Sequence, residues 1–317
     1  MVLYVQFPSW VRMEIIPSLP FRWYGLMYVF AFAVTYGLTL LQVKKGEVSL
    51  SRDDVDDLFL RCILCLLLGA RLFSQLVYEG TWYYWLHPWL IFWPFRNGHF
   101  TGLAGMSYHG GVIGAILGAV WFSKKRHKNF FTCADALCAG IPLGYTFGRL
   151  GNFINGELYG RVCTKSWGMV FPEAPGFSTN YQWVRNVAEK IGMAYQHGQY
   201  LNLPRHPSQL YEAFFEGIVL FLFLWFFIRP RKGRHPSGFV FGWYLIGYGA
   251  IRFVLEYFRA PDENLGYIIK GGAGSDNIAL FQSFRNISLG QILCFLMMVG
   301  GVMLLVVRKK ESGKHDD

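Results

Sequence analysis

Cysteine is scarce in this chain, with six in 317 residues. Cys62, Cys65, Cys133, Cys138 and Cys294 fall inside long apolar stretches and only Cys163 lies outside them, a distribution that excludes a disulfide framework. Cys62 and Cys65 form a Cys-x-x-Cys pair, but no second pair or neighbouring histidine completes a metal set, and the apolar flanks mark both as core residues. Internal repeats are also lacking, which weighs against an inverted-repeat transporter. The first twenty residues have neither the basic start nor the apolar core of a cleavable signal, so the first apolar stretch is expected to insert as itself.

What the chain does have is apolar length. It is 53% hydrophobic and 18% aromatic, with a mean hydropathy of +0.27, a composition found in membrane proteins. Seven stretches are long enough to span, at about Tyr24 to Leu41, Leu58 to Val77, Met106 to Phe122, Cys133 to Leu150, Ala213 to Ile228, Gly238 to Tyr257 and Leu289 to Val307. The expected fold is therefore an all-α membrane protein, one integral membrane domain over residues 1–317 with seven transmembrane helices.

The net charge of +10 is not read as a nucleic-acid signal, because the basic residues sit in short loops as the positive-inside rule requires. Lys124, Lys125, Arg126 and Lys128 follow the third stretch, Arg229, Arg231, Lys232 and Arg234 the fifth, and Arg308, Lys309, Lys310 and Lys314 the seventh. Placing these clusters in the cytoplasm, with the acidic patch Asp53, Asp54, Asp56 and Asp57, puts the N-terminus outside and the C-terminus inside. Three longer segments remain. Residues 79–105 carry Trp82, Tyr83, Tyr84, Trp85, Trp89 and Trp93 and suit an interfacial arm. Residues 151–212 are long enough for a small exterior head, and residues 258–288, with Gly271, Gly272 and Gly274, read as a flexible outer loop.

This topology brings scattered polar residues to the outer leaflet: Tyr24, His109, Arg149, Asn152, Glu157, Tyr248, Arg252 and Glu256. Charges at bilayer depth cost at least about 2.5–3.5 kcal/mol each and are functional by default. Tyr248, Arg252, Glu256 and Arg259 recur at i, i+4, i+8 and i+11, a spacing that predicts one polar helical face. With Arg149 at the same depth, arginines are expected to outnumber acids, and an anionic ligand, best a phosphate, would balance them. His109 precedes a stripe of Gly110, Gly111, Gly114 and Gly118 that predicts close helix packing. His206 and Glu212, flanking a helix start at Pro207, are read as capping and anchoring residues. The histidines at 109 and 206 have no ligand-spaced partners, so no metal and no cofactor is expected.

The run from Gly148 to Arg161, Gly-Arg-Leu-Gly-Asn-Phe-Ile-Asn-Gly-Glu-Leu-Tyr-Gly-Arg, resembles the signature of the prolipoprotein diacylglyceryl transferase family. So do Trp23-Tyr24-Gly25, His109-Gly110-Gly111, the run His206 to Glu212, and Tyr248-Gly249 with Arg252, Glu256, Arg259, Pro261 and Asp262. Val112 departs from the usual leucine, and the stretches from Cys163 to Leu203 and Ile268 to Phe284 are idiosyncratic. The resemblance implies a bacterial inner-membrane enzyme with its active site toward the periplasmic leaflet. Its implied partners are phosphatidylglycerol, the signal peptide of a preprolipoprotein with its lipobox cysteine, and membrane lipids, with no nucleic acid. The implied reaction moves diacylglyceryl to the cysteine thiol and releases glycerol 1-phosphate.

On this reading His109 is the base, and Arg149 and Arg252 hold the phosphodiester and steady the departing phosphate. Glu256 orients Arg252, Asn152, Tyr24 and Tyr248 hydrogen-bond the headgroup, and Glu157, Gly160 and Arg161 shape the substrate-binding loop. The alternatives are a transporter or flippase that only binds an anionic lipid, or a scaffold that recognises signal peptides.

Overall fold

The computed structural model describes residues 4–16, 22–79, 82–93, 95–96, 99–100, 105–229, 235–260, 266–272 and 277–313. Arg231, Lys232, Arg234, Pro261, Asp262, Gly274 and Lys314 lie outside them. The long helices, in chain order, are α1 (Trp23–Lys44), α2 (Arg52–Tyr78), α3 (Tyr108–Arg126), α4 (Phe130–Cys138), α5 (Ile141–Ile154), α6 (Gln182–Ile191), α7 (Ser208–Ile228), α8 (Phe239–Leu255) and α9 (Leu289–Lys310).

Each of the seven apolar stretches is helical, yet they are not equal as spans. Among the described residues α1, α2, α7 and α9 are long and apolar enough to cross a membrane, and α4 with α5 makes a fifth if counted together. The continuous helix expected over Cys133 to Leu150 is interrupted at Ala139 and Gly140, because Pro142 in the first turn of α5 cannot supply a backbone donor to a preceding turn. The third stretch is diluted by glycines and by Lys124, Lys125 and Arg126, and α8 has only 17 residues.

The chain divides into two compact units, Tyr36–Leu137 and the remainder. In the first, Ser51 opens α2 with a capping box: its hydroxyl accepts from the Asp54 amide, and the Asp54 carboxylate accepts from the Ser51 amide. Asp57 pairs with Arg61 and Arg126, each at 2.6 Å, and Asp54 with Lys128 at 3.1 Å. The acidic patch thus meets the basic cluster after α3 at one end of the unit. Beside it, Val55, Leu58, Phe59, Ala119, Phe122 and Cys133 form an apolar core.

The glycine stripe does what its spacing predicts. A β-carbon at Gly114 would stand 2.0 Å from the Cys65 carbonyl oxygen, so α2 and α3 touch backbone to backbone. Arg71, buried inside α2, was not singled out by the sequence: its guanidinium donates to the carbonyls of Ile91 and Gly105 and ties the middle and the end of the aromatic arm to α2. In that arm Trp82, Trp85, Trp89 and Trp93 are exposed.

In the other unit the exterior segment is more than helix. Short pairs form between Phe177–Ser178 and Tyr200–Leu201, between Val5–Gln6 and Met169–Val170, and between Tyr267–Lys270 and Asn286–Ser288. The all-α expectation therefore fails locally; such short strands carry no alternating pattern long enough to read. They surround an apolar cluster of Val162, Val184, Val187, Ala188, Ile191, Leu201 and Leu203, into which α6 presents one face. The described part of the 258–288 segment is tied down rather than loose, because Arg161 donates to the Tyr267 hydroxyl and to the carbonyls of Ile278 and Leu280.

Gly114→Ala forces α2 and α3 apart. We expect a loss of about 1–3 kcal/mol, read as an earlier unfolding midpoint in detergent titration. An unchanged midpoint would mean that the close approach is not needed.

Candidate active site

The site is built around a carboxylate. Glu212 lies one turn into α7, its side chain fully buried, and three arginines from different segments converge on it. Arg149 Nε, from α5, is 2.7 Å from one oxygen; Arg252 Nη1, from α8, and Arg259 Nη1, from the chain after α8, stand 3.2 and 2.9 Å from the other. Arg252 also reaches Glu256 at 3.1 Å and Glu216 at 3.7 Å. Three guanidiniums therefore face three carboxylates. The expectation that arginines outnumber acids is corrected, since the cluster neutralises itself by recruiting Glu212 and Glu216 from a helix that the sequence reading treated as anchor and span.

The predicted polar stripe is also modified. Helix α8 ends at Leu255, so Glu256 caps it and Arg259 lies beyond it. Arg259 still joins the cluster, because the chain turns back onto α7. There the helix widens into a π turn over Ala213–Val219, with the Ala213 carbonyl accepting from the Thr146 hydroxyl at 3.3 Å.

Exposure is divided by charge. The side chains of Arg149, Arg252 and Arg259 keep 13%, 16% and 19% of their surface accessible, while those of Glu212 and Glu216 keep none. The two α7 carboxylates form a floor and the guanidiniums an edge, with Glu256 at 10% between them, so an approaching anion meets cations before the α7 acids. Around that edge, Arg149 donates to the Tyr145 hydroxyl at 2.6 Å and to Asn152 Oδ1 at 3.3 Å. Asn152 in turn donates to Glu157 at 2.9 Å, a carboxylate that Asn155 also reaches. Tyr248 lies edge-on to Tyr145, with ring centroids 6.0 Å apart. Tyr24 borders the same signature, since a β-carbon at Gly151 would meet its ring at 3.5 Å, and its hydroxyl is 3.0 Å from that of Tyr28.

Gly160 has a steric reason for being glycine. A β-carbon there would lie 2.2 Å from the Phe258 carbonyl oxygen. Its amide donates to the His206 carbonyl, and the Arg161 amide to Phe258, so the signature loop is stitched to the strand before α7 and to the end of the α8 turn. Gln209 adds a bond to the Glu157 carbonyl. His206 packs against Phe258 and Tyr211, and burial, with Arg161 nearby, lowers its pKa to about 4.

Of the four residues expected to line one cavity, Arg149, Arg252 and Glu256 come together. His109 belongs to the Tyr36–Leu137 unit, in the first turn of α3, where the Ser107 hydroxyl accepts from the Gly110 amide. It is exposed, with Nδ1 2.7 Å from the Tyr78 hydroxyl at the end of α2. The sequence reading missed Tyr78, Tyr145 and Glu216. A glutamate in the middle of Ala213 to Ile228 was a signal available by the rule applied to the arginines.

The family described as prolipoprotein diacylglyceryl transferase matches residues 11–307 of this chain. Among curated relatives, a phosphatidylglycerol–prolipoprotein diacylglyceryl transferase of Treponema denticola is 51% identical, covering 97% of this chain and 95% of the relative. One from Treponema pallidum is 48% identical over 95% and 94%, and one from Borrelia garinii subsp. bavariensis is 40% identical over 98% and 95%. With a family match over residues 11–307 and relatives of this identity across nearly the whole length, the chain belongs to the prolipoprotein diacylglyceryl transferase family.

Proposed function

We infer that the chain transfers the diacylglyceryl group of phosphatidylglycerol to the thiol of a lipobox cysteine in a preprolipoprotein, forming a thioether and releasing glycerol 1-phosphate. The observation that carries the mechanism is the accessible arginine edge above a buried carboxylate floor. In the reaction a carbon–sulfur bond forms and a carbon–oxygen bond breaks. The departing phosphate takes the bonding pair, and its added charge needs donors already in place. Arg149 and Arg252 supply them. Glu256 orients Arg252 through their ion pair, and Asn152, Tyr24 and Tyr248 contact the headgroup, with Glu157 accepting from Asn152 and Gly160 fixing the loop that follows α5.

His109 takes the thiol proton. For Nε2 to accept it, Nδ1 carries its own proton and donates it to the Tyr78 hydroxyl. A flippase would use the arginines for binding alone, and the interruption between α4 and α5 is a feature transporters share. The family membership favours transfer. The full proposal also includes seven spans in a bacterial inner membrane, the N-terminus outside, residues 79–105 as an interfacial arm, residues 151–212 as a periplasmic head and residues 258–288 as an outer loop.

Purified protein incubated with phosphatidylglycerol and a lipobox peptide should yield the thioether; lipid binding without product would favour the flippase. In that assay Arg149→Lys should lower transfer by about 10²-fold or more, since a point charge replaces a planar fork. Near-normal transfer would mean that charge alone suffices. His109→Gln should fold, lose about 10²-fold or more, and recover in part as pH rises toward the thiol's own pKa of about 8.5. An unaltered pH profile would remove His109 from the mechanism.

A tag after Lys310 should be accessible from the cytoplasm only, and periplasmic labelling would invert the topology. Replacing all six cysteines should leave transfer intact, because the substrate brings the nucleophile, and in the head burial raises the pKa of Cys163. A lipidated enzyme cysteine trapped by mass spectrometry would establish a two-step route instead.

A further inference from the structure

The cluster at α5, α7 and α8 is balanced before any substrate arrives. Arg149, Arg252 and Arg259 face Glu212, Glu216 and Glu256. An anionic phosphodiester entering this group adds one negative charge in a medium of low dielectric, where uncompensated charge is expensive. Either a carboxylate is displaced toward solvent, or the cluster gains a proton. Displacement is blocked for the two acids of α7, whose side chains are fully buried on a helix packed against α5 and α8.

The three carboxylates are not equally held. Glu212 has three guanidiniums within 3.2 Å. Glu256 has Arg252 at 3.1 Å and accepts from the Ser288 hydroxyl at 3.2 Å. Glu216 has a single cation within salt-bridge reach among the described residues, Arg252, at 3.7 Å, and its partner on α5 is the neutral hydroxyl of Tyr145. When a phosphate draws Arg252 toward the accessible edge, Glu216 loses the only close positive charge it has. We propose that Glu216 is the proton-accepting counter-group of the phosphate site, so that phosphatidylglycerol binds together with one proton.

This deepens the reading of Arg149 and Arg252 as phosphate ligands and rests on it. Titratable and charged groups from each packed element surround Glu216. On its own helix stands Glu212, salt-bridged on both oxygens. Helix α5 contributes Arg149 and Tyr145, α8 contributes Arg252 and Tyr248, the chain after α8 contributes Glu256 and Arg259, and α9 contributes Cys294. The arginines are cations already, and among the acids Glu216 has the weakest partners. Glu216 acts through Arg252 and through charge balance, and is a positioning residue.

The test is calorimetry on the full chain in neutral-lipid nanodiscs, titrated with phosphatidylglycerol and no peptide, in buffers of different ionisation enthalpy. The unaltered protein should take up about one proton per bound lipid, and its affinity should fall by about tenfold per pH unit across the range of uptake. Glu216→Gln, which carries the neutral form permanently, should bind without proton uptake and without that pH dependence. A purely structural glutamate would weaken binding in the variant but leave the uptake in place.

Binding by the unaltered protein with no proton uptake, or uptake that persists in Glu216→Gln, would overturn the proposal. If the variant does not fold, infrared difference spectra of the unaltered protein decide. Lipid binding should add a protonated-carboxyl band that moves on deuteration, and its absence would be equally decisive. Arg149→Gln serves as the control for the underlying reading. Undiminished lipid affinity in that variant would remove the phosphate site itself, a result distinct from proton-free binding at an intact site.

Discussion

The meeting of three arginines on Glu212 is the constraint on which the rest of the membrane-embedded structure depends. Each guanidinium arrives on a different stretch of chain, and their common partner fixes the approach of α5, α8 and the segment after α8 to α7. Such an ion cluster is not primarily a source of stability. The cost of taking the charges out of water offsets much of their attraction, whereas removal of one partner leaves a buried charge unpaired at about 3–5 kcal/mol. What the cluster supplies is specificity of arrangement: a slipped register of α7 would strand several charges at once.

The backbone of α7 is shaped to this purpose. A regular helix satisfies its carbonyls internally, but a π turn releases one, and the Thr146 hydroxyl takes up the Ala213 carbonyl at the level of the site. The signature loop is fixed at the same level by backbone contacts that exclude a side chain at Gly160. The two devices hold the polar residues of α5 and α7 in place. The loop after Ile154 is thereby held by backbone hydrogen bonds to His206 and Phe258, and positioned donors are what a developing charge requires.

Much of this was legible in the sequence. Hydropathy located the apolar helices, reading α4 and α5 as one and missing α6, and the polar residues of the Gly148 to Arg161 run were recognisable because charge is rare at bilayer depth. The glycine stripe of α3 announced backbone contact. Other features were illegible for physical reasons. The gap at Gly140 sits in an unbroken apolar run, where hydropathy carries no information about helix direction. Arg71 stands alone among apolar neighbours, and a lone charge shows no spacing from which a partner can be read. The charge count was misjudged for the same reason, since Glu212 and Glu216 are more than forty residues from Arg149. The two-residue strands of the exterior segment are too short for any alternation to register.

The division of the cluster into a cationic edge and an anionic floor has a consequence for how a phospholipid can be handled inside a membrane. Bare arginines would hold a phosphate tightly in low dielectric, and they would hold the released phosphate monoester, with its greater charge, more tightly still. The carboxylates beneath them compete for the same N–H groups. Ground-state binding is weakened by the cost of parting Arg149 and Arg252 from Glu212, while the charge that develops as the carbon–oxygen bond breaks still finds donors already oriented. Weak binding of the headgroup combined with strong stabilisation of the departing phosphate is the differential that accelerates a reaction. In the proposed mechanism the arginines return to Glu212 once the product leaves, at no cost in unpaired charge, and this gives the buried acids a place in the turnover.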